Sequence, residues 1–301
     1  MYYYIINPAA GNGKIDKIQK RLKGIIKRLG IEGEFVKTTG AADVYKLTNI
    51  ALDKARNTIV AVGGDGTVNE VANALVDRKA VLGIIPIGKT NSVARTLGVF
   101  SWEEACQILA ARKLEKIDLA KVTTIPQKPS QKVEEKYFLT SAELGFESQI
   151  TKYRVEDNSF YKLLFARKVI KEVFKNHTEK ITIEVNGNFT ATTVMFTLIV
   201  SNCQISRQSK KFRPNPADRQ LDILLVSKLP RWQLIRNIMA IIDKKYEDLS
   251  STSIFKAKSV KVITPTPQDL SIDGEIFIQT PVEIEVVPQK LKVIVGKKRS
   301  F

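Results

Sequence analysis

Thr58-Ile59-Val60-Ala61-Val62-Gly63-Gly64-Asp65-Gly66-Thr67-Val68-Asn69-Glu70 decides the fold of the first half of this chain. Its opening five residues are a short β-branched run, the composition of a buried strand. From Thr67 onward Val68, Val71, Ala72 and Leu75 fall on one helical face. Between strand and helix stand glycines around a single carboxylate, Asp65. Glycine suits a backbone that must turn sharply or approach a ligand, and a helix start offers unpaired N–H groups and a positive dipole end to an anion. The stretch therefore reads as a phosphate-handling turn.

Outward from it, strands and helices alternate: strand 2–7, helix 14–29, strand 33–37, helix 42–55, strand 58–62, helix 67–77, strand 81–85 and helices 91–97 and 101–113. Alternation of this kind implies parallel strands with helices on both faces, and ligands of such sheets gather beyond the carboxyl ends of the strands. Three loops follow strands directly: Asn7-Pro8-Ala9-Ala10-Gly11-Asn12-Gly13, residues 63–66, and Pro86-Ile87-Gly88. They are expected to converge on one edge. After Asp118 the texture changes. Residues 121–136 read as a hairpin loop or flexible excursion. Strand-like runs follow at 137–142, 181–185, 190–201, 221–226, 259–263, 270–272, 275–279, 282–287 and 291–295, with helical patterns near 161–175 and 231–243. Asn186-Gly187 is a hairpin signal. The fold class is thus α/β plus all-β: a three-layer parallel-sheet nucleotide domain over 1–120, then an antiparallel β-sandwich domain over 121–301, whose last residues return to the first domain.

A length of 301 residues with 44% hydrophobic and 26% charged side chains suits a soluble two-domain chain. Cys106 and Cys203 are the only cysteines and carry no metal-ligand spacing, which points to a reduced, cytoplasmic setting. Met1 to Ile6 is too short for a signal core and reads as the first strand. The formal net charge of +17 favours anionic partners. Stacking aromatics and groove-entering signatures of nucleic-acid modules are missing from the sequence. Basic side chains cluster at Lys17, Lys20, Arg21, Lys23, Lys27 and Arg28, at Arg167 to Lys175, at Arg207 to Arg213, and at Lys297 to Arg299. The one histidine, His177, sits after a basic helix and reads as a loop residue, which disfavours a serine–histidine hydrolase.

With these loops in hand, the chain resembles the diacylglycerol kinase catalytic family, bacterial lipid kinases related to sphingosine and ceramide kinases. The resemblance rests on Asn7-Pro8-Ala9-Ala10-Gly11, Gly63-Gly64-Asp65-Gly66-Thr67 through Asn69-Glu70, Pro86-Ile87-Gly88-Lys89-Thr90-Asn91 through Ala94-Arg95, Ile117-Asp118-Leu119 and Asp273-Gly274-Glu275. It implies a two-domain kinase that uses ATP and Mg²⁺ to phosphorylate a hydroxyl of diacylglycerol or a similar long-chain lipid, peripherally at an anionic membrane surface. Asn7, Pro8, Ala9, Ala10 and Gly11 would line the nucleotide, as would Gly63, Gly64, Gly66, Thr67, Asn69, Glu70, Gly88, Lys89, Thr90 and Asn91. Thr38 or Thr39 falls where the family has a nucleotide-contacting threonine. Asp65 would act through Mg²⁺ and the phosphates, Glu275 as general base, and Asp118 beside it at the reaction centre. Proton removal by a positioned carboxylate and charge neutralisation are what phosphoryl transfer requires.

The chain departs from the family pattern at two places. Ser92 stands where many members carry Asp, and Lys89 is added; that lysine either contacts phosphate or is a solvated loop residue. Arg219 interrupts the Asp-Asp-Gly turn that would make Asp218 a ligand of a structural Mg²⁺, so Asp218 is either a metal ligand or a turn residue. Alternatives that stay open are a sphingoid-base or ceramide-type kinase, an NAD-kinase-like enzyme, and a non-catalytic nucleotide- or lipid-binding module. A homodimer is compatible with the sequence. Phe160, Tyr161, Leu163, Leu164 and Phe165 beside Lys162, Arg167 and Lys168 form the candidate membrane-facing helix.

Overall fold

The computed structural model describes residues 1–11, 13–40, 43–151, 159–175, 178–204, 211–274 and 276–301, and of residues 14, 159–165, 276 and 277 the backbone alone. The chain divides into two units, Met1–Leu119 with Val287–Phe301, and Ala120–Val286.

The first unit begins β1 (Tyr2–Ile6), α1 (Lys14–Arg28), β2 (Gly33–Lys37), α2 (Asp43–Asp53), β3 (Thr58–Gly63), α3 (Asp65–Leu75), β4 (Val81–Pro86), α4 (Ser92–Thr96) and α5 (Trp102–Ala111). β1 pairs in parallel with β2 and β3, and β3 with β4, so every crossover carries a helix. β3 and β4 are buried along their whole length, the reason both read as unbroken apolar runs rather than alternating ones. α1 turns Ile15, Leu22 and Ile26 inward and leaves Lys17, Lys20, Arg21, Lys23, Lys27 and Arg28 exposed. That basic cluster is a solvated helix face.

β5 (Leu114–Thr124) leads into the second unit. There follow β6 (Glu135–Phe138), β7 (Ser141–Gly145), α6 (Phe146–Thr151), α7 (Ser159–Lys175), β8 (Glu179–Val185), β9 (Phe189–Ser201), β10 (Leu221–Ser227), α8 (Arg231–Arg236), α9 (Ile238–Ile242), β11 (Thr252–Ala257), β12 (Ser259–Ile263), β13 (Asp269–Ile272), β14 (Ile276–Gln279) and β15 (Val282–Ile294). The described pairings within this unit are antiparallel, as a β-sandwich requires. Successive side chains of a strand face opposite ways, and β9 and β10 use both faces. Leu198, Val200, Leu221, Ile223 and Leu225 enter the sandwich core, whereas Ile199, Leu224 and Val226 enter a second core with Val169 and Val173 of α7, Leu234 of α8 and Ile241 of α9. At its far end β15 rejoins the first unit, where Lys292 and Val293 lie parallel to Val81 and Leu82 of β4.

Several sequence boundaries move, each for a local reason. The run 137–142 is two strands, because the amides of Leu139, Thr140 and Ser141 turn onto the Asp273 carboxylate. The runs 282–287 and 291–295 are one strand, bent where Gln289 takes a φ of 52° and donates its N–H to Asp118. The helix over 231–243 breaks at Asn237, whose side chain donates to Gln233 O. The supposed excursion at 121–136 is shorter, since β5 runs to Thr124 and pairs with β6. β11 and α6 carried no signal that the sequence reading detected. The Asn186-Gly187 turn has positive φ at both residues, 53° and 71°, as a tight hairpin demands.

Candidate functional site

Three strand-ending loops of the first unit are tied to one another by short-range bonds. After β1, Asn7 accepts the Ala9 N–H on its own Oδ1 at 3.0 Å and donates from Nδ2 to Thr67 Oγ1 at 3.0 Å. The first bond folds the loop; the second fixes it to α3. After β3, Gly63 lies so close to Thr67 that an added Cβ would stand 2.4 Å from its Oγ1. After β4, the N–H groups of Ile87 and Gly88 both donate to Gly63 O, at 3.0 and 3.2 Å. A Cβ on Gly88 would come within 2.4 Å of the Gly64 Cα. A side chain at Gly88 would push the β3 and β4 loops apart, and one at Gly63 would displace the Thr67 side chain to which Asn7 is tied.

Asp65 locks the arrangement. Its Oδ2 accepts the Ser92 N–H at 3.0 Å and its Oδ1 the Val93 N–H at 3.1 Å, so the carboxylate caps the first turn of α4. Burial pushes its pKa up, against the pull of the Ser92, Val93 and Asn91 amides, which favour the charged form. Asn91 takes a left-handed φ of 51° and donates from Nδ2 to Gly88 O at 2.7 Å. Its Oδ1 is buried and finds no donor among the described residues. α3 itself starts from Gly64, an N-cap without a side-chain bond, so its first amides keep their capacity for an anion.

Beside these loops lies a cavity of about 420 Å³, lined by Asn7, Pro8, Ala9, Thr38, Thr39, Gly40, Val44 and Glu70. Its size falls in the roughly 300–1,000 Å³ range of small-molecule sites. The third wall comes from the loop after β2. There the N–H and hydroxyl of Thr39 and the N–H of Gly40 all donate to Asp43 Oδ2, which holds the Asp43 pKa down. Of the residues the sequence proposes for nucleotide, Asn7, Pro8, Ala9, Thr38 and Glu70 line this cavity, while Gly63, Gly64, Asp65, Gly66, Thr67, Gly88 and Asn91 belong to the knot of loops joined to it through Asn7. Ala10 and Gly11 complete the β1 loop, Asn69 is buried in α3, and Lys89 and Thr90 are exposed on the β4 loop. Gly40 and Val44 were missed. Val44 offered no signal beyond its place on an amphipathic helix.

Asp118, expected at a reaction centre, is fully buried in β5, accepts the Gln289 N–H at 2.7 Å and does not line the cavity. Glu275 and His177 lie outside the described residues, as do Asn12, Arg207 and Lys210. On either side of residue 275, Ile272 pairs with Ile276, and Asp273 and Gly274 have φ of 50° and 79°. Asp273 accepts from Leu139 (3.2 Å), Thr140 (2.8 Å) and Ser141 (3.1 Å), and burial pushes its carboxyl up to about 6 despite them.

Ser141 continues this network by donating from Oγ to Glu143 Oε1 at 3.1 Å; Thr151 Oγ1 donates to Glu143 Oε2 at 3.0 Å. The Lys244 ammonium bridges Glu143 and Glu147, and Tyr246 donates its hydroxyl to Glu147. These two buried glutamates sharing a lysine gave no warning in the sequence. At the β10 end, the cation on Asp218 is the Lys256 ammonium, 2.5 Å from Oδ2 and 3.5 Å from Asp222. Asp218 Oδ1 accepts the Gln220 N–H. A protein cation therefore fills the place a divalent ion would need, and these residues do not fit a structural Mg²⁺. Among the described residues there is also no group of three or more His, Cys, Asp or Glu arranged to hold a metal.

The family model for the diacylglycerol kinase catalytic domain matches residues 1–122, and that for the YegS C-terminal NAD kinase beta sandwich-like domain matches residues 140–295. A diacylglycerol kinase of Bacillus subtilis is 26% identical over 98% of this chain and 96% of its own length. The crystal structure of a diacylglycerol kinase from Bacillus anthracis aligns over 99% of this chain and 97% of that one with a TM-score of 0.73 at 22% identity. An NAD kinase from Archaeoglobus fulgidus, in complex with ATP, aligns over 99% and 95% with a TM-score of 0.56 at 16% identity. At these identities the two structural likenesses establish the fold alone.

Proposed function

Since the chain belongs to the diacylglycerol kinase catalytic family, we propose that it is an ATP-dependent lipid kinase acting on a hydroxyl of diacylglycerol or a similar long-chain lipid, peripherally at a membrane surface. The observation that carries the reading is the knot of glycine loops at the open N-terminus of α3, beside a cavity of nucleotide size. Backbone amides there suit a triphosphate, whose charge a helix start stabilises. Asn7 shapes the β1 loop against them, and Thr38, Thr39 and Val44 offer hydroxyls and an apolar wall to the nucleoside.

Mg²⁺ suits this corner too. The ion keeps most of its ligands as water and phosphate oxygens and needs one or two protein carboxylates. Asp65 would hold it on the carboxylate lone pairs that the amides of Ser92, Val93 and Asn91 leave open, and the buried Asn91 Oδ1 is a ready acceptor for an ion-bound water. When bound, the ion would supply charge neutralisation at the β- and γ-phosphates. Glu275 takes the role of general base on the strength of the Asp273-Gly274-Glu275 resemblance. Asp273 then positions the turn, by gripping three amides of the β6–β7 segment. Asp118 serves through β15, whose bend at Gln289 it fixes.

The test is a transfer assay with γ-labelled ATP, Mg²⁺ and, in separate tubes, micellar diacylglycerol, sphingosine, ceramide and NAD, with products separated by chromatography. Labelled phosphatidic acid is the expected product. Label on NAD alone, or ATP binding with no labelled product in any tube, would overturn the reading.

A further inference from the structure

The helical layer of the second unit has an inner face already accounted for and an outer face that is not. α7 sends Val169 and Val173 into the core, α8 sends Leu234 and α9 sends Ile241. On the outside stand Ile170, Phe174, Trp232, Ile235 and Met239, all exposed, Trp232 at 58% and Met239 at 66%. Trp232, Ile235 and Met239 are spaced by three and four, so they form one stripe that continues past the break at Asn237. Ile170 and Phe174 are a second stripe at spacing four on α7, which packs against both shorter helices. Isolated exposed apolar residues need no explanation, but five large ones on three neighbouring helices do.

The charge around them is mostly positive; the exception is exposed Asp243 at the end of α9, which pairs with Lys245 at 3.6 Å. Arg167, Lys168 and Lys171 of α7, Arg231 and Arg236 of α8, and Lys228 just before α8 are exposed. Glu172 is the one acid in the sequence of these helices; it is buried and pairs with Lys175 at 2.7 Å. The Arg236 guanidinium sits over the Trp232 ring, 4.9 Å from its centroid, joining an apolar body to a cationic head. Tryptophan with flanking arginine and lysine is the pattern that settles at a lipid–water boundary.

We propose that this outer face of α7, α8 and α9 seats the protein on an anionic lipid bilayer. A second copy of the chain is a poor occupant, since it would bring the same cations and a formal charge of +17 to the same surface. A bilayer offers both requirements, acyl chains for the stripe and phosphate headgroups for the rim. The sequence put the membrane face on Phe160 to Phe165, whose side chains lie outside the described residues; the face argued here is the other end of that helix together with α8 and α9. Its purpose rests on the lipid-kinase reading, but its evidence does not.

The experiment is co-sedimentation of the full chain with phosphatidylcholine vesicles, with and without phosphatidylserine, in the absence of ATP. The parent is expected to bind the phosphatidylserine vesicles and to be released by salt. Both Trp232→Glu with Met239→Glu and, separately, Arg231→Glu with Arg236→Glu should lower that binding at least about tenfold, with unchanged melting temperature. Both variants should phosphorylate a short-chain, water-soluble diacylglycerol as the parent does. Equal binding of parent and variants, or parental binding indifferent to phosphatidylserine, would overturn the proposal. So would a parental dimer that the variants dissociate, which would make the face a contact between copies. A parent that binds vesicles but phosphorylates no lipid would instead defeat the kinase reading and leave this one standing.

Discussion

Asp65 in the first unit and Asp273 in the second use the same device: an aspartate beside glycine reaches to a segment far along the chain and grips its backbone amides. Burial raises the pKa of both against the pull of those amides. Their surroundings differ. Around Asp65 most contacts end on main-chain groups, and glycines bring the loops together. Around Asp273 the contacts run on through buried side chains, Ser141, Glu143, Thr151, Lys244, Glu147 and Tyr246. A main-chain corner recognises charge without regard to side-chain identity, as the proposed nucleotide site would require. A side-chain network fixes one geometry, as a turn proposed to carry a base would require.

The largest effect is expected at that turn. Glu275→Gln keeps the size of the side chain and removes its basicity, so turnover should fall roughly 10²- to 10⁴-fold with melting temperature and ATP affinity nearly unchanged. A comparable rise in KM for ATP, with turnover intact, would erase the division of labour between the two corners. Next comes Lys244→Met. It leaves Glu143 and Glu147 as buried carboxylates without their shared ammonium, which should cost about 3–5 kcal/mol in denaturant unfolding. A loss well under 1 kcal/mol would mean that the shared ammonium does not hold these two side chains together.

Asp65→Asn should act on the other corner and more mildly. The amide can accept one of the two N–H groups of Ser92 and Val93 but must present its own NH₂ to the other. About 1–3 kcal/mol of stability should be lost, together with a raised KM for ATP. A variant as stable as the parent would show that α4 does not depend on this cap.

The contrast between the corners also explains what the sequence disclosed. Gly63, Gly64, Asp65 and Gly88 were legible because tight turns packed against each other need glycine at fixed steps after a strand, and that need is written locally. The alternation of strands and helices around them was legible for the same reason. Gly40 and Val44 were harder, since they join the cavity only through the register of β1 with β2. Glu143, Glu147 and Lys244 were invisible. Their meeting depends on α6 and on the turn after α9, and an isolated Glu or Lys reads as a surface residue until the chain has folded. Gln289 misled the strand reading in the same way, because its partner Asp118 is far away in sequence.

The finest distinction between the corners is one of pH. Asp273 holds its proton more tightly folded than unfolded, with a carboxyl pushed from 3.8 up to about 6 by burial. Such a group favours the folded state most when protonated: its contribution is complete below the unfolded pKa and is lost as pH climbs through the folded one. Asp273→Asn imitates the protonated form and cannot titrate. The stability of the parent minus that of the variant should therefore fall by about 1–2 kcal/mol between roughly pH 4 and pH 7, the lower figure allowing for partial exposure of the turn. Thermal unfolding of the two proteins across that range measures it. A difference that stays flat would mean that the amides of Leu139, Thr140 and Ser141 fully offset the burial of the charge. Asp273 would then be a stabilising clamp, and the turn would be held without the cost that marks a functional site.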